Sequence, residues 1–214
     1  ATALPTQTST PIPPTETPIP SPIPANTGNV LLQDDFSTEN WGTLSSTDSS
    51  VQYDGAALRM KMFKKNWFVW TTPNGEVYQD VHMEVTATNN DGEATTAFGL
   101  ICYQQTTTSN YYYLAMTPAG EYAIVLAADG ASDLFLTNNN KWGASDLIKK
   151  KQASYRVGAD CGNGTLTLYV DGQLIASVSD STYTDGSAGV FTWSGENVSN
   201  ADVTFDDFIL SSLK

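Results

Sequence analysis

The 214-residue chain carries a net charge of −13, with 23 acidic against 10 basic residues and a single histidine. That balance excludes nucleic acid and anionic membrane surfaces as partners held by clustered Lys and Arg, and it favours solubility. No apolar run approaches the roughly 20 residues needed to span a bilayer, and no basic start followed by an apolar stretch marks a signal peptide.

Residues 1–28 differ in composition from all that follows. Eight of the ten prolines lie there, Glu16 is the only charge, and a short motif recurs as Pro11-Ile12-Pro13, Pro18-Ile19-Pro20 and Pro22-Ile23-Pro24. Proline donates no ladder hydrogen bond and this stretch has little to bury, so it reads as an extended polyproline-like arm or linker. Two roles suit such an arm: a stalk, or an element that docks in a groove or along an edge of a neighbouring copy, since proline bars it from a central strand.

The expected domain occupies residues 29–214. Its first strand candidates are 29–36 and 41–46, followed by 51–63, where an Asp54-Gly55 turn leads into Leu58, Met60 and Met62 alternating with Arg59, Lys61 and Phe63. Segments 66–72 and 77–88 come next. Segments 97–105, 111–116 and 121–127 form a β-meander whose parity separates Leu114, Met116, Tyr122, Ile124 and Leu126 from Tyr111, Tyr113 and Ala115, so one face is core and the other displays tyrosines. After 133–137 comes a polar stretch, TNNNKWGASDLIKKK, expected to be flexible. Segments 155–161, 165–170 and 173–178 follow, the last two forming a hairpin around Asp171-Gly172 with Leu166, Leu168, Val170, Leu174, Ala176 and Val178 on one face; 189–193 and 203–212 close the chain. About thirteen strands broken at regular intervals, with no amphipathic helix, predict an all-β, two-sheet antiparallel jelly-roll sandwich. Cys102 and Cys161 lie in strand-like runs, and the choice is between one disulfide and two buried thiols.

The segments LLQDDFSTENW, FGLICYQQTTTSNYYYLAMTPAGEYAIVL, YRVGADCGNGTLTLYVDGQLIASVSD and GVFTWSGENVSNADVTFDDFIL together resemble the concanavalin A-like (laminin-G-like) jelly-roll domains of bacterial surface proteins and lipoproteins, and also the domain called 3-keto-disaccharide hydrolase. The resemblance spans nearly all of residues 30–213. It implies that the first and last strands are antiparallel neighbours, that Cys102 and Cys161 are close enough to bridge, and that the protein is exported and works, as a mature chain, outside the cell or at its surface. It also implies a structural Ca²⁺ near the terminal-strand carboxylates Asp34, Asp35, Asp206 and Asp207, with Asp54 as a further ligand. The alternative for these residues is that each Asp faces water while Phe36, Phe205 and Phe208 fill the core.

For catalysis the best candidate is Asp80-Val-His-Met-Glu84, where alternation places Asp80, His82 and Glu84 on one face, similar to the E-x-D-x-x-E strand of jelly-roll glucanases. Asp80 and Glu84 would stand roughly 13 Å apart, beyond the ~5 Å or ~6.5–9.5 Å of glycosidase pairs. A solvated polar face is the plainer expectation, and no catalytic residue is assigned. The ligand-binding candidates are Trp67, Trp70, Tyr111, Tyr113, Trp142 and Trp193, because flat rings stack on sugar C–H faces. The expected function is a non-catalytic extracellular module that self-associates through its proline-rich arm into a surface or filamentous assembly; a carbohydrate-binding module on a stalk is the second reading and a glycoside-processing enzyme the third.

Overall fold

The computed structural model describes residues 27–73 and 75–214. Pro11, Ile12, Pro13, Pro18, Ile19, Pro20, Pro22, Ile23 and Pro24 of the expected arm lie outside the described residues.

Runs of β-branched and aromatic residues, punctuated by Gly, Asp and Asn, fold into sixteen strands, with no helix among the described residues. The first half of the chain supplies β1 (Thr27–Asp34), β2 (Leu44–Ser45), β3 (Ser49–Tyr53), β4 (Leu58–Met62), β5 (Phe68–Thr71), β6 (Val81–Asn89), β7 (Ala97–Gln104) and β8 (Tyr111–Met116). The second half supplies β9 (Glu121–Ala127), β10 (Leu134–Phe135), β11 (Gly143–Ala144), β12 (Ser154–Gly162), β13 (Thr165–Val170), β14 (Gln173–Ser179), β15 (Ser187–Trp193) and β16 (Ala201–Leu213).

Two antiparallel sheets result. A nine-stranded sheet runs β14-β13-β12-β6-β16-β4-β3-β2 with β1 also beside β16, and a seven-stranded sheet runs β10-β9-β8-β7-β15-β5 with β11 also beside β9. Their inner faces meet in one hydrophobic core built from Leu58, Met60, Met62, Val81, Met83 and Val85 on one side and Phe98, Leu100, Tyr112, Leu114, Met116 and Val190 on the other. The first and last strands are neighbours, with Asp34 opposite Phe208.

Parity explains a detail of β16. Phe205 and Phe208 are both fully buried, although three residues separate them and simple alternation would put them on opposite faces. A bulge between Asp206 and Ile209, with Asp207 in the left-handed region at φ 50°, restores the inward direction. The same bulge divides the strand, since residues before it pair with β4 and those after it with β1. A second irregularity corrects an expectation. The β13–β14 hairpin turns at Asp171-Gly172, both at positive φ, but a register shift at Leu168/Tyr169 sets Leu174 opposite Tyr169 and leaves it 54% exposed, while Ile175 packs on the core instead.

Cys102 in β7 and Cys161 in β12 form a disulfide that joins the two sheets through the core. It closes a loop of 59 residues, which restricts the unfolded chain more than the folded one.

On the outer face of the nine-stranded sheet the expected solvated row is instead buried. His82 and Glu84 are 1% and 6% exposed, and Asp80 does not join them: it precedes β6 at φ 46°, is exposed, and its Oδ1 accepts the Asn163 N–H. His82 Nδ1 lies 2.6 Å from Asp160 Oδ1, which stands opposite it across β6 and β12, and the other Asp160 oxygen accepts the Tyr169 hydroxyl at 2.8 Å. His82 Nε2 is 3.4 Å from Glu84 Oε1, and Arg156 Nε donates to Glu84 Oε2 at 3.0 Å. Burial works to lower the imidazolium pKa, but hydrogen bonds and charge from Asp160 and Glu84 outweigh it and hold it above the ordinary 6.5. Burial likewise works to raise Glu84, yet His82 and Arg156 hold it below the ordinary 4.5.

Two outcomes are expected. Replacing both cysteines by alanine lowers unfolding stability by about 2–4 kcal/mol, read from urea denaturation; an unchanged midpoint would show that the bridge contributes nothing. The stability difference between the native protein and His82→Gln should be largest between about pH 4.5 and 6.5. It should shrink as pH rises through the elevated His82 pKa, where the imidazole loses its charge, and again as pH falls through the depressed Glu84 pKa. A difference independent of pH would contradict the charged network.

Candidate functional site

The outer face of the seven-stranded sheet differs from the charged outer face of its partner. Strand alternation turns Tyr111, Tyr113 and Ala115 of β8 away from the core, together with Ala123 and Val125 of β9, Ile101 of β7 and Phe191 of β15, and these form a second apolar cluster. Cross-strand register adds to it, as Phe191 pairs with Trp70 and Trp193 with Phe68 across β15 and β5. Gly99 stands between Ala115 and Phe191, where a Cβ would fall 2.0 Å from the Leu114 carbonyl oxygen and 3.2 Å from the Phe191 ring.

The result is a depression of about 460 Å³ floored by the sheet and lined with aromatic side chains. Phe68 is near-parallel to Phe191 at 4.9 Å and to Tyr111 at 6.1 Å, and Trp70 leans on Tyr111 at 5.8 Å. Trp142 and Trp193 lie 6.1 Å apart with their planes 16° from parallel.

Two loops set the rim. The loop that carries Trp142 includes Asn138, Asn139 and Asn140, all at positive φ, a conformation that asparagine tolerates better than most residues. Asn140 Oδ1 accepts the Phe135 N–H at 2.9 Å, and Trp142 meets the Phe135 ring edge-on at 5.9 Å. The stretch expected to be flexible is thus a closed turn that presents a tryptophan. In the second, Asn66 at φ 52° donates its N–H to Gly195 O, and its Oδ1 accepts the Trp193 indole N–H at 3.0 Å. Ser194 Oγ accepts the Trp67 N–H, which ties the same two loops together.

Asp133 is the only charged residue lining the depression among the described residues. Its Oδ2 accepts the Tyr113 hydroxyl at 2.8 Å. Burial and this carboxylate raise both phenols, pushing Tyr111 up to about 12 and Tyr113 higher still, so both remain neutral donors at physiological pH.

Of the six aromatic residues expected from sequence, Trp70, Tyr111, Tyr113, Trp142 and Trp193 line this depression and Trp67 does not. Trp67 packs against the core, donates Nε1 to Ser49 Oγ at 3.2 Å and lies under Lys64 Nζ. The reason is parity, since Trp67 immediately precedes β5 and, three residues from Trp70, points the opposite way. The same rule picks out Phe68 and Phe191, which share faces with Trp70 and Trp193 and which the sequence reading missed. Asn66 and Asp133 leave no such signal, because turns place them.

The five aspartates do not gather at one point. Asp34 is buried, with one oxygen accepting the Phe36 N–H and the other the Trp41 indole, and Asp54 pairs with Arg59 at 2.6 Å. Asp206 is pushed up by burial and by the neighbouring carboxylates Asp207 and Asp35, while its own Oδ1 accepts the Asp207 N–H. Among the described residues no three acidic, His or Cys side chains form a metal-holding group. The set therefore does not fit as a five-carboxylate calcium site, and Ca²⁺ rests on the resemblance alone.

No protein-family profile matches the chain, and no curated protein matches it. Solved structures do. The carbohydrate-binding module CBM66 of Bacillus subtilis superposes with a TM-score of 0.61 at 16% identity, covering 81% of this chain and 96% of that one. The β-glucanase of Bacillus licheniformis gives 0.60 at 11% identity over 88% and 100% of the two chains. A Bacillus subtilis protein of unknown function with a galectin-like fold gives 0.56 at 12% over 87% and 97%. At such identities the likeness speaks for the sandwich alone and does not single out the 3-keto-disaccharide hydrolase domain. Sheet order, paired terminal strands and these neighbours agree on the fold: two antiparallel sheets packed as a concanavalin A-like jelly roll.

Proposed function

We propose that the domain is a non-catalytic carbohydrate-binding module whose ligand lies in the aromatic depression on the seven-stranded sheet. The observation that carries this reading is the convergence of Trp70, Trp142 and Trp193, all partly exposed, around one depression, with polar atoms at the edge of the rings. Aromatic faces take the apolar C–H faces of a pyranose, while Asn66, Asp133 and the Tyr111 hydroxyl can meet its hydroxyls.

The absence of a second carboxylate beside Asp133 among the described lining residues favours binding over hydrolysis, because glycoside cleavage uses a pair of them. The buried His82 network lies on the outer face of the other sheet and cannot serve this depression. The solved neighbours include both a binding module and a glycanase, so it is the lining of the depression that supports the choice. The disulfide suits an oxidising, extracellular setting. Assembly through the proline-rich arm, the first expectation from sequence, concerns residues outside the described ones and gains no support here, so glycan binding takes precedence.

Glycan-array screening followed by calorimetry tests the proposal. Trp142→Ala and Trp193→Ala should each weaken binding of the best oligosaccharide about tenfold, equivalent to about 1.4 kcal/mol. Leu174→Ser, on the other sheet, should leave it unchanged. Equal affinity of all four proteins, or no glycan bound by the native one, would refute the assignment.

A further inference from the structure

The electrostatics of the depression narrow the class of sugar, on the premise that the depression is a glycan site. Its lining is mostly aromatic, and ring faces carry a negative potential that attracts cations and disfavours anions. Its sole ionised lining group among the described residues is the Asp133 carboxylate, and neither Lys nor Arg lines it. Tyr113 satisfies Asp133 Oδ2, and no described residue hydrogen-bonds Oδ1. Tyr111 and Tyr113 stay neutral beside it and cannot act as counter-charges. The chain as a whole carries −13, which concentrates cations at its surface.

We infer that the depression selects an amino sugar with a free, protonated amine, such as a unit of a deacetylated hexosamine polymer, with the ammonium group on Asp133 Oδ1 and the ring on the neighbouring aromatic faces. Uronic, sialic and sulfated sugars would meet one carboxylate and no cation, and are excluded. Neutral sugars keep the stacking and lose the ion pair. Asp133 is exposed, so the ion pair is screened by water, but a charge-assisted hydrogen bond is still worth more than a neutral one, and that difference is the source of the selectivity.

The substitution Asp133→Asn separates this role from a structural one, since an amide oxygen can still accept the Tyr113 hydroxyl while the charge is gone. The experiment is calorimetric titration at about pH 5.5, where the sugar amine is protonated, with three probes of equal length: glucosamine oligomers, their N-acetylated counterparts and cello-oligosaccharides. The native protein should bind the glucosamine oligomer several-fold more tightly than the two neutral probes. The variant should lose that preference, binding the three probes alike, and added salt should erode the native preference in the same way. Equal native affinities for charged and neutral probes would overturn the amine selectivity and leave the glycan reading standing, as would a preference that survives Asp133→Asn. Failure of every probe, and of a wider glycan array, would remove the glycan reading and this inference with it.

Discussion

Strand alternation along β8 is the constraint from which the rest of the molecule follows. Tyr112, Leu114 and Met116 must face the other sheet, because that is the only large apolar surface available to them, and Tyr111, Tyr113 and Ala115 are thereby turned outward. A one-residue slip would exchange the two sets and destroy both faces together. The outward set would be costly if left bare to water. Phe68 and Trp70 of β5 and Phe191 of β15 pack against it, so that Tyr111 and Tyr113 are each less than a tenth exposed. The sandwich therefore has a second apolar layer outside its core, and the surface of that layer is the depression.

The two sheets solve the problem of their outer faces in different ways. The seven-stranded sheet covers its own with rings, while the nine-stranded sheet uses the His82, Asp160, Tyr169, Glu84 and Arg156 network. Charges so deeply placed cost desolvation, and they persist because every one has a partner of opposite sign or a hydrogen-bond donor at hand. The contrast bears on function. A network whose charges already face one another has less to offer a ligand, whereas the aromatic layer includes the partly exposed Trp70, Trp142 and Trp193 and leaves an Asp133 oxygen and the Tyr111 phenol without hydrogen-bond partners among the described residues. The disulfide joins the two sheets through the core and keeps both outer faces in fixed relation.

Much of this was legible in the sequence. Period-two patterns located the meander, the DG hairpin and the core positions Leu58, Met60 and Met62, and the resemblance placed the terminal strands side by side. What escaped was whatever broke the period. Phe205 and Phe208 stand out in the sequence as core fillers, in the alternative to a calcium site, but the bulge at Asp207 that lets them share a face does not, nor does the shift at Leu168/Tyr169 that exposes Leu174. Trp67 was misplaced because residue type was weighed above parity, which would have chosen Phe68. The loop of three left-handed asparagines looked mobile from its polarity, although asparagine is suited to holding such a turn. Asp133 and Asn66 act through tertiary placement alone, and nothing short of the fold could have brought them to the rings.

The five tryptophans offer a direct reading of whether the depression is the binding surface. Their indole N–H resonances in a ¹⁵N-labelled sample can be followed while an oligosaccharide is added. Trp70, Trp142 and Trp193 should shift in a saturable manner, while Trp41, bonded to Asp34, and Trp67, bonded to Ser49, stay in place. Shifts confined to Trp41 or Trp67, or none in any of the five with a glycan shown by calorimetry to bind, would contradict the assignment and send the ligand to another face of the sandwich.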